Sequence, residues 1–187
     1  MDDQSETQEG DWVRRARQGD KEAFEMLVRT YMRQAYYAAL GFLGRHDDAL
    51  DASQEAFVKA YLAIDRFEPG RRFYAWYYRI LKNHCLNMRR KRRSSALSFS
   101  EVFATQAEPA SEAPSSSEEL ERAELRRVVW EAIWRLETND RELIVARDIL
   151  GTPYATLAEL LEIPPGTVMS RLYYARRRLR DQLKEVL

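Results

Sequence analysis

The sequence predicts an all-α protein of two small helical domains, and three observations carry that reading. Apolar residues recur at helical spacing on both sides of a Ser-, Ala-, Pro- and Glu-rich stretch near 94–119. No segment alternates apolar and polar residues between turn signals as a half-buried strand does. The stretch between the periodic parts has no basic residue and little periodicity, as a linker does. The domains are therefore expected at 11–93 and 119–187, joined by a flexible acidic Ser/Pro-rich linker at 94–118.

In the first domain the spacing predicts helices over about 12–41, 47–67 and 73–90. In the second of these, Leu50, Phe57, Tyr61 and Ile64 are expected to face inward. Asp51, Gln54, Glu55, Val58, Lys59 and Leu62 then form a mixed polar and apolar ridge on the outside, a surface suited to docking a partner. Asp47, Asp48 and Asp51 are the nearest approach to a carboxylate cluster, and their place at a helix start points to the helix dipole rather than to chemistry.

The third helix carries the charge. Between positions 71 and 93, Arg71, Arg72, Arg79, Lys82, Arg89, Arg90, Lys91, Arg92 and Arg93 occur without a single acid. Phe73, Tyr74, Trp76, Tyr77 and Tyr78 interleave with them. Aromatic faces stack on unpaired bases at about 1–3 kcal/mol each while cations follow the backbone, the pattern of a single-strand binder. A small bundle also needs rings for its core, so most of these are expected inside and one or two against bases.

The second domain reads as helices over about 119–136, 140–150 and 154–161, then a long basic helix after Ile163-Pro164-Pro165. Val168, Leu172, Ala175, Leu179, Leu183 and Val186 step by three and four into one apolar stripe. The opposite face presents Gly166, Thr167, Ser170, Arg171, Tyr173 and Tyr174, then Arg177 and Arg178. A short helix, a tight break and a basic helix make a helix-turn-helix whose second helix enters the major groove. Its first residues are expected at base edges, with Arg176, Arg177 and Arg178 on phosphates.

Composition narrows the class further. The net charge of zero, from 30 basic and 30 acidic residues, would by itself argue against a nucleic-acid partner; the clustering reverses that inference. A single cysteine, Cys85, excludes an internal disulfide and fits a reduced cytosol, and His46 and His84 have no metal-ligand spacing. No cofactor, metal or small-molecule substrate is expected. The opening MDDQSETQEGD is unlike a secretory signal, and no apolar run approaches the roughly 20 residues of a spanning helix. A soluble, cytoplasmic chain without membrane insertion is the expectation.

With these residues in hand, the chain resembles the extracytoplasmic-function group of sigma-70 factors, from about 11 to 183 outside the linker. The resemblance rests on GDKEAFEMLVRTY, DDALDASQEAFVKAY, FYAWYYRILKNHCLNMRRKRR and YATLAELLEIPPGTVMSRLYYARRRL. Its most specific parts are Asp51 with Gln54, Glu55 and Phe57; Trp76 with Ile80 and Asn83; and Gly166-Thr167-Val168 before Ser170-Arg171-Leu172. Ala75, Tyr77, Asn87 and Met169 depart from residues common in the family.

The resemblance implies an alternative sigma factor, with region 2 in the first domain and region 4 in the second. It implies that Asp51, Gln54, Glu55, Val58, Lys59 and Leu62 dock on the β′ clamp coiled coil of core RNA polymerase. Arg72, Trp76, Arg79, Lys82, Asn83, Asn87 and Arg90 would meet the melted minus-10 element. Tyr154, Thr167, Met169, Ser170, Arg171, Tyr173, Tyr174, Arg176 and Arg177 would meet the minus-35 duplex, while this domain packs on the β flap.

It also implies that the loop at 65–72 shapes a pocket for a flipped base, and that the linker, with Glu101, Glu108, Glu112, Glu118 and Glu119, threads the polymerase cleft. An anti-sigma protein that clamps both domains, and holds the factor at the membrane, is the implied regulator. The free factor is then expected to bind promoters poorly until polymerase spreads its domains. Rival classes are a stand-alone helix-turn-helix regulator, for which no dimerisation heptads are evident, and an enzyme such as a recombinase, for which no nucleophile or metal-carboxylate set is placed.

Overall fold

The computed structural model describes residues 3–96 and 117–186, helical throughout apart from turns, with no strand among them. The first half contains α1 (Asp3–Arg17), α2 (Lys21–Leu43), α3 (His46–Leu62), a 3₁₀ turn (Ile64–Arg66) and α4 (Phe73–Ala96). The second contains α5 (Ser117–Arg135), α6 (Thr138–Ile144), a π-helical turn (Val145–Ile149), α7 (Tyr154–Leu161) and α8 (Pro165–Val186). The helices flanking the expected linker run to Ala96 and from Ser117, so three residues at its start and two at its end are helical. The expected linker lies otherwise outside the described residues, as do its acids up to Glu112; Glu118 and Glu119 begin α5.

The single helix expected over 12–41 is two helices. Gly19 takes φ +89°, a left-handed conformation that glycine adopts without a Cβ clash, and the chain turns there. Asp20 then caps α2, accepting from the Ala23 amide at 3.1 Å and from Arg15 Nε at 2.9 Å. The apolar period survives the break because both helices lie on the same core, which is why spacing alone joined them. The helix ends at Gly44, also left-handed, whose N–H donates to the Leu40 carbonyl at 2.8 Å.

Leu50 corrects the second helix. It is 41% exposed, and the inward stripe of α3 is instead Ala49, Ala52, Ser53, Ala56, Phe57 and Ala60. Small side chains let α3 approach α2 closely, so the larger Leu50 is turned outward beside the ridge. Tyr61 is partly buried against Phe24, with ring centroids 5.0 Å apart, and Phe57 and Ile64 are buried as expected. Phe57 stacks on Tyr77 of α4 at 4.2 Å, and Tyr77 donates to the Ser53 carbonyl at 3.2 Å.

The regular helix expected over 140–150 gives way after Ile144. Leu150 donates to the Val145 carbonyl at 3.0 Å, an i to i−5 bond that widens the turn. Val145 and Ala146 both point inward as a result. In α8 the stripe of Val168, Leu172 and Ala175 is buried, Leu179 and Leu183 are partly buried, and the Val186 side chain lies outside the described residues.

The halves share one contiguous core rather than owning one each. Tyr37 of α2 stacks on Trp130 of α5, centroids 6.2 Å apart and nearly parallel. Gly41 of α2 meets the π turn so closely that a Cβ there would lie 3.3 Å from a Val145 methyl. Gly41→Val is therefore expected to overpack the joint and destabilise the chain by about 1–3 kcal/mol in chemical denaturation. Unchanged stability would mean that the halves do not meet at this position.

Candidate polymerase and nucleic-acid interfaces

Three faces and one cleft carry the residues singled out from the sequence. On α3 the whole expected ridge is exposed: Asp51, Gln54, Glu55, Val58, Lys59 and Leu62. Val58 and Leu62 are 60% and 77% exposed, on the face opposite the buried alanine stripe. Lys59 Nζ lies 3.6 Å from Glu55 and donates to Nδ1 of His84, from α4, at 2.5 Å.

On α4, four of the five interleaved rings, Phe73, Tyr74, Tyr77 and Tyr78, are buried. Trp76 is half-buried, edge-on to Phe67 at 5.5 Å. Asn83, Asn87 and Arg90 are exposed, and Arg90 donates to Asn87 Oδ1 at 3.1 Å. Arg72, Arg79 and Lys82, expected at DNA, are engaged instead by the second half of the chain. Arg72 donates to Thr156 Oγ1 at 2.7 Å, Arg79 pairs with Glu162 at 2.7 Å, and Lys82 donates to Glu142 at 2.7 Å. Neighbouring Arg89 donates to Thr138 at 2.7 Å.

Glu142 is the centre of this joint. Its side chain is 4% exposed, and its Oε1 also accepts from the Tyr78 hydroxyl at 2.5 Å. Burial first, and then the carboxylate, push the Tyr78 phenol well above its ordinary value, so it remains a donor. Arg141 beside it is pushed down to about 10, by burial first and then by Arg89. Sequence reading missed Glu142, although a signal existed: it lies three and four residues before Val145 and Ala146, on a face that otherwise reads as core. Glu162, Thr138 and Thr156 gave no such signal.

The loop at 65–72 forms one wall of an open cleft of about 890 Å³, with Asp65, Phe67, Pro69, Gly70, Arg71 and Arg72. The other wall is α1, through Glu9, Gly10, Val13, Arg14, Arg17 and Gln18 next to it. Glu9 fixes this wall, accepting from the Phe73 amide at 2.7 Å and from the Tyr31 hydroxyl.

In the second half, α7 ends at Glu162 in the left-handed region, φ +55°, and α8 starts at Pro165, where a missing N–H costs nothing. The face opposite the stripe is exposed: Met169, Ser170, Arg171, Tyr173, Tyr174 and Arg177, with Thr167 and Tyr154 half-buried. Tyr154 lies under the Arg147 guanidinium at 4.7 Å. Two of the three arginines expected on phosphates have partners in their own half. Arg176 pairs with Asp148 at 2.5 Å and Arg178 with Asp140 at 3.0 Å, which leaves Arg177 exposed between them.

Among the described residues no three His, Cys, Asp or Glu side chains gather as metal ligands, and no helix is long and apolar enough to cross a membrane. A helix-turn-helix joined to an aromatic and cationic helical module defines the class, a two-part helical DNA-binding protein. Residues 27–95 match the Sigma-70 region 2 family and residues 126–179 match Sigma-70, region 4. The ECF RNA polymerase sigma factor SigW of Bacillus subtilis is 30% identical over 179 residues, 93% of this chain and 96% of SigW. A solved structure of CnrH, in complex with the cytosolic domain of CnrY, aligns with TM-score 0.69 and 28% identity over 95% of this chain and 98% of its own. The sigma factor RpoE of Bartonella quintana, solved with the anti-sigma factor NepR, aligns with TM-score 0.69 and 27% identity over 86% and 96%. The chain belongs to the extracytoplasmic-function subfamily of sigma-70 factors, and is a sigma factor.

Removing Glu142 strands a buried hydroxyl and a half-covered ammonium. Glu142→Ala is expected to cost about 1–3 kcal/mol, less than a fully buried pair because Lys82 stays 31% exposed. Glu142→Gln, which keeps the acceptor, should cost less. Equal losses for the two variants in urea denaturation would contradict the assigned hydrogen bonds.

Proposed function

We propose that this chain docks on core RNA polymerase through the α3 ridge, and that α4 and α8 then read the two elements of a promoter. The observation that carries the reading is the division of labour among faces. An exposed ridge with two apolar side chains lies on α3, a cationic face with half-buried Trp76 and exposed Asn83, Asn87 and Arg90 on α4, and a polar, tyrosine-bearing face on α8. The ridge of Asp51, Gln54, Glu55, Val58, Lys59 and Leu62 meets the β′ clamp coiled coil, and the second half seats on the β flap.

Trp76, Asn83, Asn87 and Arg90, with Arg72, Arg79 and Lys82 once released, follow the melted minus-10 strand. The cleft between α1 and the loop at 65–72 receives an unstacked base. Thr167, Met169, Ser170, Arg171, Tyr173 and Tyr174 meet minus-35 base edges, with Tyr154, Arg176 and Arg177 at the backbone. No catalytic step belongs to the chain itself; its family is non-enzymatic in general, and the work is recognition and strand capture.

The packed arrangement of the halves bears on when this happens. Arg72, Arg79 and Lys82 cannot follow a strand while Thr156, Glu162 and Glu142 hold them. The free chain is the shut form, and polymerase, by engaging the ridge and the second half at separate places, pulls the joint open. An anti-sigma protein acting in the cytoplasm or at the membrane face would keep it shut; the anti-sigma complex of the RpoE relative supports a partner of that kind.

Size-exclusion chromatography with core polymerase tests the reading against a stand-alone regulator. Wild type is expected to co-elute, and Gln54→Ala with Glu55→Ala to weaken binding at least about tenfold, or about 1.4 kcal/mol. Failure of wild type to co-elute in the absence of any inhibitor would leave the stand-alone regulator as the better reading.

A further inference from the structure

We propose that His84 positions the docking ridge, holding Lys59 and Glu55 of α3 in one arrangement for the polymerase. The inference rests on the ridge being the docking surface, and goes beyond it by adding a residue on another helix. The His84 side chain is 12% exposed, whereas those of Lys59 and Glu55 are 48% and 63% exposed. It rises from α4 beneath the ridge and reaches both. Nδ1 lies 2.5 Å from Lys59 Nζ, Nε2 lies 3.3 Å from Glu55 Oε2, and Lys59 and Glu55 are 3.6 Å apart.

The chemistry of this triangle fixes its protonation. An ammonium has donors only, so Nδ1 must present its lone pair to Lys59, and the ring proton belongs on Nε2, toward Glu55. The Nε2 approach lacks hydrogen-bond geometry, so the neutral ring acts on Glu55 through its N–H dipole rather than a directed bond. An i,i+4 Lys–Glu pair on an exposed helix face is weak alone and leaves both side chains many rotamers. A third group set in the protein wall removes much of that freedom before the partner arrives, which lowers the ordering cost of docking.

The groups facing the imidazole are Lys59 and Glu55 on α3 and Lys91 on α4. Burial first, and then Lys59, hold the His84 pKa below its ordinary value of 6.5, with Glu55 opposing and Lys91 adding to the depression. Protonation would remove the acceptor for Lys59 and set two cations side by side. The neutral, ridge-ordering form therefore persists at and above pH 6.5 and is lost only as pH falls through the depressed pKa, below that value.

The test is the affinity of the whole chain for core polymerase, measured by fluorescence anisotropy in steps from pH 7.5 down to about pH 5, alongside thermal melting of each variant. His84→Ala is expected to weaken binding about threefold to tenfold at pH 7.5. His84→Gln, whose amide can accept from Lys59, should recover most of the affinity and lose the extra weakening that wild type shows once pH falls through the depressed His84 pKa. If Gln54→Ala with Glu55→Ala weakens binding but His84→Ala does not, the positioning role is overturned and the docking surface stands. If neither weakens it, the docking surface itself is wrong. Should His84→Ala fail to fold, wild type and His84→Gln decide the matter: parallel pH profiles overturn the proposal, and a steeper wild-type profile supports it.

Discussion

A carboxylate with almost no contact with water closes the two halves of this chain on each other. Glu142 accepts from Tyr78 and Lys82, both on α4, and the same halves also meet through Tyr37 on Trp130 and Gly41 against Val145. A buried ion pair of this kind adds little net stability, because desolvation offsets most of the attraction, yet leaving one member unpaired is costly. Its effect is on register: the halves fit when Glu142 meets its partners, and a slid or rotated arrangement would bury a lone charge. A joint built this way is well defined in place and still separable by a partner that offers both halves other contacts.

That joint explains how a chain with no net charge handles nucleic acid. Four cations at and along α4 are engaged by the second half, Lys82 and Arg79 by Glu142 and Glu162, and Arg89 and Arg72 by Thr138 and Thr156. This part of the positive face is released only when the halves part, while Arg90 is exposed already. The α8 face is arranged differently. Its tyrosines and polar residues stay exposed, and the arginines that are paired, Arg176 and Arg178, are paired within their own half. Opening the joint would thus change the α4 face greatly and the α8 face little. The asymmetry follows from where the acids sit.

Much of this was legible in the sequence, because amphipathic spacing reports burial directly. The α8 stripe, the turn at Ile163-Pro164-Pro165 and the exposure of the α3 ridge all follow from local pattern. The failures have a common physical cause. Spacing records which face is buried but not against what, so a break at Gly19 that kept both helices on one core went unseen. Size was a poor guide on α3, where close packing favoured alanines inward and turned Leu50 out. The joint itself was invisible, since Tyr78, Lys82 and Glu142 are ordinary helix residues until tertiary packing brings positions some sixty residues apart into contact.

If the free chain is shut and polymerase opens it, the separation of the two halves must change on binding. The most direct test is a distance measured by pulsed electron resonance between spin labels at two exposed sites away from the proposed faces, Glu22→Cys and Glu159→Cys. Cys85 is buried, its thiol pushed up to about 12 by burial, and should stay unlabelled. One narrow distance is expected in the free chain and a longer one when core polymerase is added. A broad distribution in the free chain, or the same narrow distance with and without polymerase, would contradict it.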